Sequence, residues 1–198
     1  MKDKVTKTHY IKKDIKYDRV TAILNYFTNP GLIAWRDKVG VAQAKQTMKT
    51  AGGIGTRVHG LIYKHYINGR FSLTPNDGVS TRNCMKAYMD WWKAYNPKTL
   101  SMERTLYSEE LGIAGTYDKE LPDTLLDVKT SAKIRPEHWL QLAIYNYMGV
   151  FQKEKLAVLR LDKWTADYEY VVIDYDVKLV ECFKGLLQYY RFITKEGT

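Results

Sequence analysis

The chain has 198 residues, enough for one domain with a sizeable core, and its apolar fraction of 45% and charged fraction of 27% exclude disordered and fibrous classes. It carries 31 Lys and Arg residues against 22 Asp and Glu residues, a formal net charge of +9 that favours a polyanionic partner. The only cysteines, Cys84 and Cys182, lack CxxC spacing, so neither a zinc site nor an iron–sulfur cluster is expected from this chain alone.

Positive charge is concentrated at the start of the chain. Residues 1–50 contain 11 Lys and Arg residues against 4 Asp and Glu residues, whereas the rest contains 20 against 18. Such a basic edge is typical of a phosphate-contacting surface, and a lysine-rich solubilising surface would have the same composition. Because no apolar run has the length of a membrane span and no secretion signal is present, we expect a cytoplasmic protein without a membrane partner.

The N-terminal part of the chain has a helical pattern. A short helix is expected from about Val20, followed by a break near Pro30 and a second helix toward residue 50. The sequence therefore predicts a basic N-terminal helical extension over residues 1–50 and a core over residues 51–198, which together form one compact domain.

Two further helices are predicted in the middle of the chain. After the pair Gly52-Gly53, apolar residues recur at helical spacing until Gly69. A second apolar stripe over residues 79–95 predicts the next helix, which an Asn-Pro dipeptide ends. We expect the aromatic residues of this stripe to lie in the core rather than to stack on bases.

The pattern changes after residue 99. Short alternating or apolar runs, separated by turn residues, predict three antiparallel strands through residue 130. The run EHWLQLAIYNYM has apolar residues at helical spacing and predicts a helix packed on the sheet. Two further strands, KLAVLRLD and YEYVVID, and a C-terminal amphipathic helix complete the predicted order.

The second predicted hairpin carries charged residues where strands usually bury apolar ones. Asp127 and Lys129 are two residues apart in one strand and therefore share a face, which alone is also typical of an exposed ion pair. A tight hairpin would bring Asp118, at the end of the preceding strand, beside Asp127. Two such carboxylates repel unless a cation joins them, and their oxygen atoms suit Mg²⁺ or Mn²⁺. With Lys129 able to orient or help deprotonate an attacking water, the hairpin predicts a phosphodiester-hydrolysing site.

Two helical motifs flank this hairpin in the sequence. GTRVH ends at His59, which is either a metal ligand or a structural histidine. QLAIY places Gln141 and Tyr145 one turn apart, where they either contact a ligand over the sheet or cap the core with polar groups. The residues alone leave both alternatives open.

The ordered set GTRVH, GTYD, LLDVKTS and QLAIY resembles the PD-(D/E)XK nuclease superfamily, most closely its RecB-type exonuclease branch. The helix pair ahead of GTRVH is also similar to the compact phage-type and mitochondrial-type single-strand exonucleases of this branch. The resemblance covers residues 20–145. It implies a three-layer, restriction-endonuclease-like α/β fold with a mixed central β-sheet flanked by helices.

The resemblance also implies the roles of individual residues. The implied catalytic residues are Lys129, Asp118, Asp127, Gln141 and Tyr145. The implied metal ligands are His59, Asp118, Asp127 and Val128, the last through its backbone carbonyl. The implied cofactor is Mg²⁺, for which Mn²⁺ would substitute, without the iron–sulfur cluster that some members hold with four cysteines.

One position departs from the pattern of the family. Many members carry an acidic residue one helical turn after the histidine, where this sequence has Tyr63. Glu103 or Glu110 could supply the missing carboxylate from the first strands of the hairpins. A solvated glutamate at the sheet edge is nevertheless the expected interpretation of both.

The resemblance thus implies a Mg²⁺-dependent deoxyribonuclease, an exonuclease that acts on single-stranded DNA or DNA ends in replication, recombination or repair. Recombination or replication proteins are expected as further partners. Residues expected to contact nucleic acid are Arg57, Lys12, Lys13, Arg36, Lys133 and Arg135. The alternatives are a structure-specific endonuclease or resolvase, and a catalytically inactive DNA-binding protein on the same scaffold.

Overall fold

A mixed β-sheet with helices on both faces forms the body of the protein. The computed structural model describes residues 4–27, 30–149 and 152–195. In chain order, its elements are β1 (Lys4–Val5), β2 (His9–Lys12), β3 (Ile15–Arg19), α1 (Val20–Tyr26), α2 (Pro30–Val39), α3 (Val41–Asn68), α4 (Val79–Tyr95), β4 (Ser101–Ser108), β5 (Ile113–Glu120), β6 (Thr124–Lys129), α5 (Pro136–Met148), β7 (Lys155–Leu161), β8 (Tyr168–Asp174) and α6 (Val177–Lys195). The predicted α/β fold with a mixed central sheet is confirmed.

The N-terminal segment differs from the predicted helical extension. Residues 4–19 form β1, β2 and β3, and β3 joins the central sheet by parallel pairing with β5. Lys13 and Asp14 have φ angles of 48° and 63°, the left-handed conformation that a two-residue hairpin turn requires. Tyr10 and Tyr17 pair across β2 and β3 and are both buried. The prediction of a wholly helical segment over residues 1–50 is therefore wrong for residues 4–19.

The order of the strands leaves a gap beside β5. Along one edge, β5 pairs with β4 in the antiparallel sense. Its other edge is shared, because β3 pairs with Ile113 and Ala114 while β6 pairs with Lys119 and Glu120. Among the described residues, no strand pairs with residues 115–118 on this second edge. The sheet continues from β6 to β7 in parallel and from β7 to β8 in antiparallel pairing.

Helices cover both faces of the sheet. Helices α1, α5 and α6 bury one apolar cluster against it, which includes Ile23, Leu142, Phe183, Leu125 and Val158. Helices α3 and α4 bury a second cluster, which includes Val58, Leu61, Met85, Leu126 and Leu159. The fold therefore has three layers, with helices on both faces of the sheet, as predicted. The parallel strands β6 and β7 are joined through α5, as parallel pairing requires a crossover connection.

Helix α3 is longer than the sequence predicts. The glycine pair Gly52-Gly53 lies inside the helix rather than ahead of it. The predicted boundary between the N-terminal extension and the core, after residue 50, also falls within this helix. The helix ends as predicted, because Gly69 adopts a left-handed φ of 66° at its C-terminus. Nearly all residues of α2 and of the first ten positions of α3 are exposed or half-buried, with Ala44 buried.

No helix within residues 4–27, 30–149 and 152–195 is both long and apolar enough to cross a membrane. Cys84 is buried, Cys182 is exposed, and both are free thiols. Of the aromatic stripe of α4, Tyr88 is buried as expected and Trp92 is half-buried, whereas Tyr95 is exposed.

Candidate active site

The gap beside β5 is where the predicted catalytic residues meet. At its end, the Asp118 carboxylate accepts a hydrogen bond of 2.7 Å from the backbone N–H of Val128. This side-chain bond takes the place of a ladder bond between β5 and β6. The gap thus brings the ends of GTYD and LLDVKTS together and leaves their polar side chains beside an opening rather than under a strand.

Asp127, Lys129 and Gln141 form one hydrogen-bonded unit. The Lys129 ammonium donates to Asp127 Oδ1 over 3.0 Å and to Gln141 Oε1 over 3.1 Å. The Gln141 amide donates in turn to Asp127 Oδ1 over 3.2 Å. Because α5 holds Gln141 and β6 holds the other two, the unit fixes the lysine between two layers of the fold.

His59 bridges the two hairpin strands from α3. Its Nδ1 lies 3.2 Å from Asp118 Oδ1, and its Nε2 lies 3.1 Å from the backbone oxygen of Val128. The four predicted metal ligands, including Asp127 as the neighbour of Val128, therefore lie in one cluster. Which nitrogen carries a proton depends on the tautomer or charge of the ring.

Glu103, one of the two glutamates that could supply the missing carboxylate, lies in this cluster. Its Oε1 lies 3.6 Å from His59 Nδ1, and the carboxylates of Glu103 and Asp118 together with His59 could hold a cation. In β4 it stands opposite Asp118, between the pairs Met102↔Lys119 and Arg104↔Tyr117. Its φ of 52° is costly for a residue with a side chain. Glu103 and Glu110 are both exposed, as expected of edge glutamates, but Glu103 lies beside His59 as well.

The glycine of GTYD allows close packing beside the cluster. A Cβ atom on Gly115 would clash with the Tyr145 ring, so only glycine leaves room for this tyrosine. A Cβ atom on Gly55, in GTRVH, would lie 3.4 Å from Thr130 Oγ1, an ordinary van der Waals distance. Gly115 therefore brings α5 close to β5, whereas packing does not require glycine at residue 55.

Burial and charge act on the cluster in opposite directions. Burial raises the pKa of Asp127 to about 7, against the opposing effect of Lys129. For Asp118, burial is outweighed by His59 and Lys129, so its pKa is lowered. Burial would lower the pKa of His59, but Asp118 and Glu103 raise it well above the usual value. Burial thus disfavours the charged form of Asp127, and a further positive charge in the site would stabilise that form.

The donor atoms of the cluster fit a divalent cation. Asp127 Oδ2 is buried, lies 2.8 Å from Lys129 Nζ, and accepts no hydrogen bond from any described residue. Ligand atoms of Asp118, Glu103 and His59 lie within 4.8 Å of one another, and the Val128 carbonyl lies 3.1 Å from His59 Nε2. Mostly oxygen ligands with one imidazole suit Mg²⁺ or Mn²⁺ better than a thiophilic metal.

The cluster lies in an open cavity of about 550 Å³. Besides the cluster and Tyr145, the cavity is lined by Tyr63 and by polar residues from the N-terminal strands and β5. Arg19 supplies a guanidinium there, with its Cζ 5.9 Å from the centre of the Tyr10 ring. The Tyr10 hydroxyl lies 3.2 Å from Thr116 Oγ1. This cationic and hydroxylated part of the wall was not identified as part of the site, because the N-terminal segment was predicted to be helical.

The predicted nucleic-acid contacts are spread over the molecule. Arg57 forms a bidentate pair with Asp77, with both N–O distances at 2.7 Å, and lines a different cavity from the cluster. Lys12 Nζ lies 4.3 Å from the Tyr107 ring centre. The other four are placed as follows: Lys13 in the β2–β3 turn, Arg36 on α2, Lys133 in the loop before α5, and Arg135 at the α5 N-cap. None of these six lines the cavity that contains the cluster.

Comparison with known proteins supports the fold. The chain aligns with an alkaline exonuclease from Laribacter hongkongensis at a TM-score of 0.50 and 9% identity, over 91% of this chain and 89% of that one. A phage-related exonuclease from Haemophilus somnus aligns at a TM-score of 0.43 and 12% identity, over 72% of this chain and 83% of that one. No protein-family model and no curated protein matches the sequence. The chain therefore has the fold of the alkaline exonuclease, as its motifs predict.

Proposed function

We propose that the chain is a metal-dependent nuclease that hydrolyses phosphodiester bonds of DNA, as an exonuclease on single strands or strand ends. The observation that carries this proposal is the cluster of Asp118, Asp127 and Lys129 at an open cavity, with the buried Asp127 Oδ2 lying 2.8 Å from the Lys129 ammonium. A binding scaffold without catalysis has no need for an acid–acid–lysine set.

In this proposal, the cation would be held by one residue of α3 and by residues of strands β4, β5 and β6. Its ligands are Asp118, Asp127, His59, the carbonyl of Val128 and, in addition, Glu103. Mg²⁺, with Mn²⁺ as a substitute, supplies there the Lewis acidity that activates a phosphodiester group. His59 comes from α3 and Glu103 from β4, so the ligand set is complete only when both elements are in place.

Lys129 is the catalytic lysine in this proposal. An ammonium has three N–H donors, and Asp127 and Gln141 accept from two of them. The remaining donor can orient the attacking water or offset charge that develops on the phosphate. Gln141 positions the ammonium, and Tyr145 packs against Gly115 at the wall of the cavity, where it can contact the strand.

The surroundings of the cluster suit a nucleic-acid strand. Arg19 and Thr116 form a cationic, hydroxylated part of the cavity wall that suits a neighbouring phosphate. Arg36 and other basic residues lie on the exposed α2 and on the start of α3, where they can attract the backbone of DNA. Such contacts make affinity fall with salt concentration. Cytoplasmic replication or recombination proteins are partners that fit this activity.

The experiment is an assay of the purified protein on end-labelled linear single-stranded DNA, with and without Mg²⁺ or Mn²⁺. We expect cleavage that depends on the metal and is abolished in Lys129→Ala and Asp118→Asn, while the thermal melts of both variants stay near that of the parent. Lys178→Ala, the same change at an exposed position of α6, is the matched control and should cleave normally. Cleavage by Lys129→Ala at the parental rate would contradict the assigned roles.

A circular single strand separates the exonuclease from its nearest alternative. The proposed exonuclease leaves a closed circle intact and degrades the linear form. A structure-specific endonuclease or resolvase with the same cluster would open the circle or cut a branched duplex. Binding of both substrates without cleavage, in the presence of metal, would identify an inactive DNA-binding protein.

A further inference from the structure

A buried lysine lies outside the catalytic cluster, on the strand that carries Asp118. Lys119 is only 1% exposed and packs among aromatic side chains of α4. Its Nζ lies 5.4 Å from the ring centres of both Tyr88 and Trp91, and it donates a hydrogen bond of 3.4 Å to the Tyr88 hydroxyl. No carboxylate of the described residues forms an ion pair with this ammonium, which is unusual for a buried lysine.

Lys119 faces a cavity distinct from the catalytic one. This second cavity has a volume of about 330 Å³ and includes His65, Tyr66, Trp92 and Thr99 in its lining. His65 continues the polar chain, because its Nδ1 lies 3.2 Å from the Tyr88 hydroxyl. None of the described lining residues is acidic. Tyr66 is exposed, so the cavity opens to solvent beside its ring.

The chemistry of this second cavity selects for an anion. A buried ammonium without a counterion is costly, and an anion that enters beside it removes the cost. The rings of Tyr66 and Trp92 offer flat surfaces for an aromatic group on the same ligand.

We propose that the second cavity binds a nucleoside monophosphate, with its phosphate at Lys119 and its base against the rings of Tyr66 and Trp92. The volume lies at the lower end of the range for small-molecule sites, about 300 to 1,000 Å³, which suits one nucleotide and not a longer strand. Lys119, Tyr66 and Trp92 do not line the catalytic cavity, so the proposal does not depend on the nuclease activity.

The test is calorimetric titration of the protein with deoxyadenosine monophosphate in the presence of EDTA, which keeps divalent metal from the catalytic cluster. We expect Lys119→Met, which keeps the length of the side chain and removes its charge, to raise Kd by about tenfold or more. Lys129→Met, the same change in the catalytic cluster, should leave Kd unchanged. Deoxyadenosine, which lacks the phosphate, should bind the parent protein with a Kd at least as high as that of the monophosphate for Lys119→Met.

Three outcomes would overturn the proposal. They are an unchanged Kd in folded Lys119→Met, loss of binding in Lys129→Met, and no binding by the parent protein at millimolar nucleotide. If Lys119→Met does not fold, Tyr66→Ala decides in its place, because this exposed residue can be truncated without loss of core packing. Loss of one stacked ring should weaken binding by about fivefold, and an unchanged Kd in Tyr66→Ala would contradict the assigned site.

Discussion

Gly115 and Tyr145 show how single residues set the geometry of the catalytic cluster. The Tyr145 ring occupies the space where a Cβ atom of residue 115 would lie, at 2.3 Å from the nearest ring atom. The ring belongs to α5, the helix that also positions Gln141 against Lys129. Any side chain at residue 115 would therefore push α5 away from the lysine.

Gly115→Ala is expected to destabilise the protein by about 1 to 3 kcal/mol, because the added methyl group overpacks the contact with Tyr145. Cleavage of DNA should fall with it, since the contact between Gln141 and Lys129 is lost. Denaturant unfolding and the nuclease assay check both effects. The matched control is Gly185→Ala on α6, where a Cβ atom meets nothing within 4 Å and alanine should be neutral or stabilising. Equal behaviour of the two variants would refute this account.

Glu103 holds a backbone conformation that glycine would adopt without strain. Its φ of 52° is explained if the carboxylate is needed beside His59 and Asp118. We expect Glu103→Gly to be more stable than the parent by roughly 1 kcal/mol and to bind Mn²⁺ more weakly. Denaturant unfolding in EDTA and calorimetric titration with Mn²⁺ measure the two quantities. A variant that binds Mn²⁺ as tightly as the parent would exclude Glu103 from the ligand set.

Motifs in the sequence predict most residues of the cluster, whereas for the additional carboxylate they leave a choice between Glu103 and Glu110. His59, Asp118, Asp127 and Lys129 stand in recognisable motifs, and their assembly follows from strand alternation and one hairpin. Glu103 stands in no such motif. Its place depends on the register of β4 against β5 and on a positive φ, and neither can be derived from composition or periodicity.

Among the elements, α3 joins an exposed segment to the catalytic core. Its second half carries His59 and packs in the core, whereas its first ten residues lie almost entirely at the surface. Gly52 and Gly53 separate the two halves, and a Cβ atom at either position would meet nothing within 4 Å. Packing therefore does not require these glycines, which lower the stability of the helix at this point.

Replacing both Gly52 and Gly53 by alanine should raise the free energy of unfolding by about 1 to 2 kcal/mol, since alanine favours the helix at each position. Denaturant unfolding measures this change. Hydrogen exchange should slow in residues 41–51, because the junction between the halves of α3 frays less often. A double variant less stable than the parent would mean that these glycines make a contact absent from the described structure.

The sequence predicts helix α4 correctly but misses the three short N-terminal strands. The sequence placed α4 over residues 79–95 because a long apolar stripe ends at an Asn-Pro dipeptide. Strands β1 to β3 have two to five residues each, and buried tyrosines are their main apolar signal. Such short, lysine-rich strands gain their structure from pairing with β5 and with one another, which local periodicity cannot indicate.

At the scale of the whole molecule, a buried ion pair ties the sheet to the start of β7. Lys153 Nζ lies 2.8 Å from Glu120 Oε1, and both side chains are largely buried. Glu120 also accepts hydrogen bonds from Ser101 and Tyr117. Burial would raise the pKa of Glu120, but these partners, Lys153 first among them, lower it below the usual value.

Glu120→Gln should destabilise the protein at neutral pH by about 3 kcal/mol, because it leaves the buried Lys153 without its carboxylate. Since the folded pKa of Glu120 is lowered, its stabilisation is present above the unfolded pKa and is lost as pH falls through the folded value. The gap in melting temperature between parent and variant should therefore shrink from pH 7 to about pH 3. A gap that stays constant would show that the pair does not titrate as described.

The central claim is that the cluster around Asp118 and Asp127 is a divalent metal centre, which a diffraction experiment on Mn²⁺-soaked crystals tests most directly. We predict an anomalous peak between these two carboxylates, about 2.0 to 2.3 Å from its ligand atoms, with His59 and the Val128 carbonyl in contact. The peak should be absent from Asp118→Asn crystals soaked in the same way. A parent crystal with manganese bound elsewhere, and none between Asp118 and Asp127, would contradict the account.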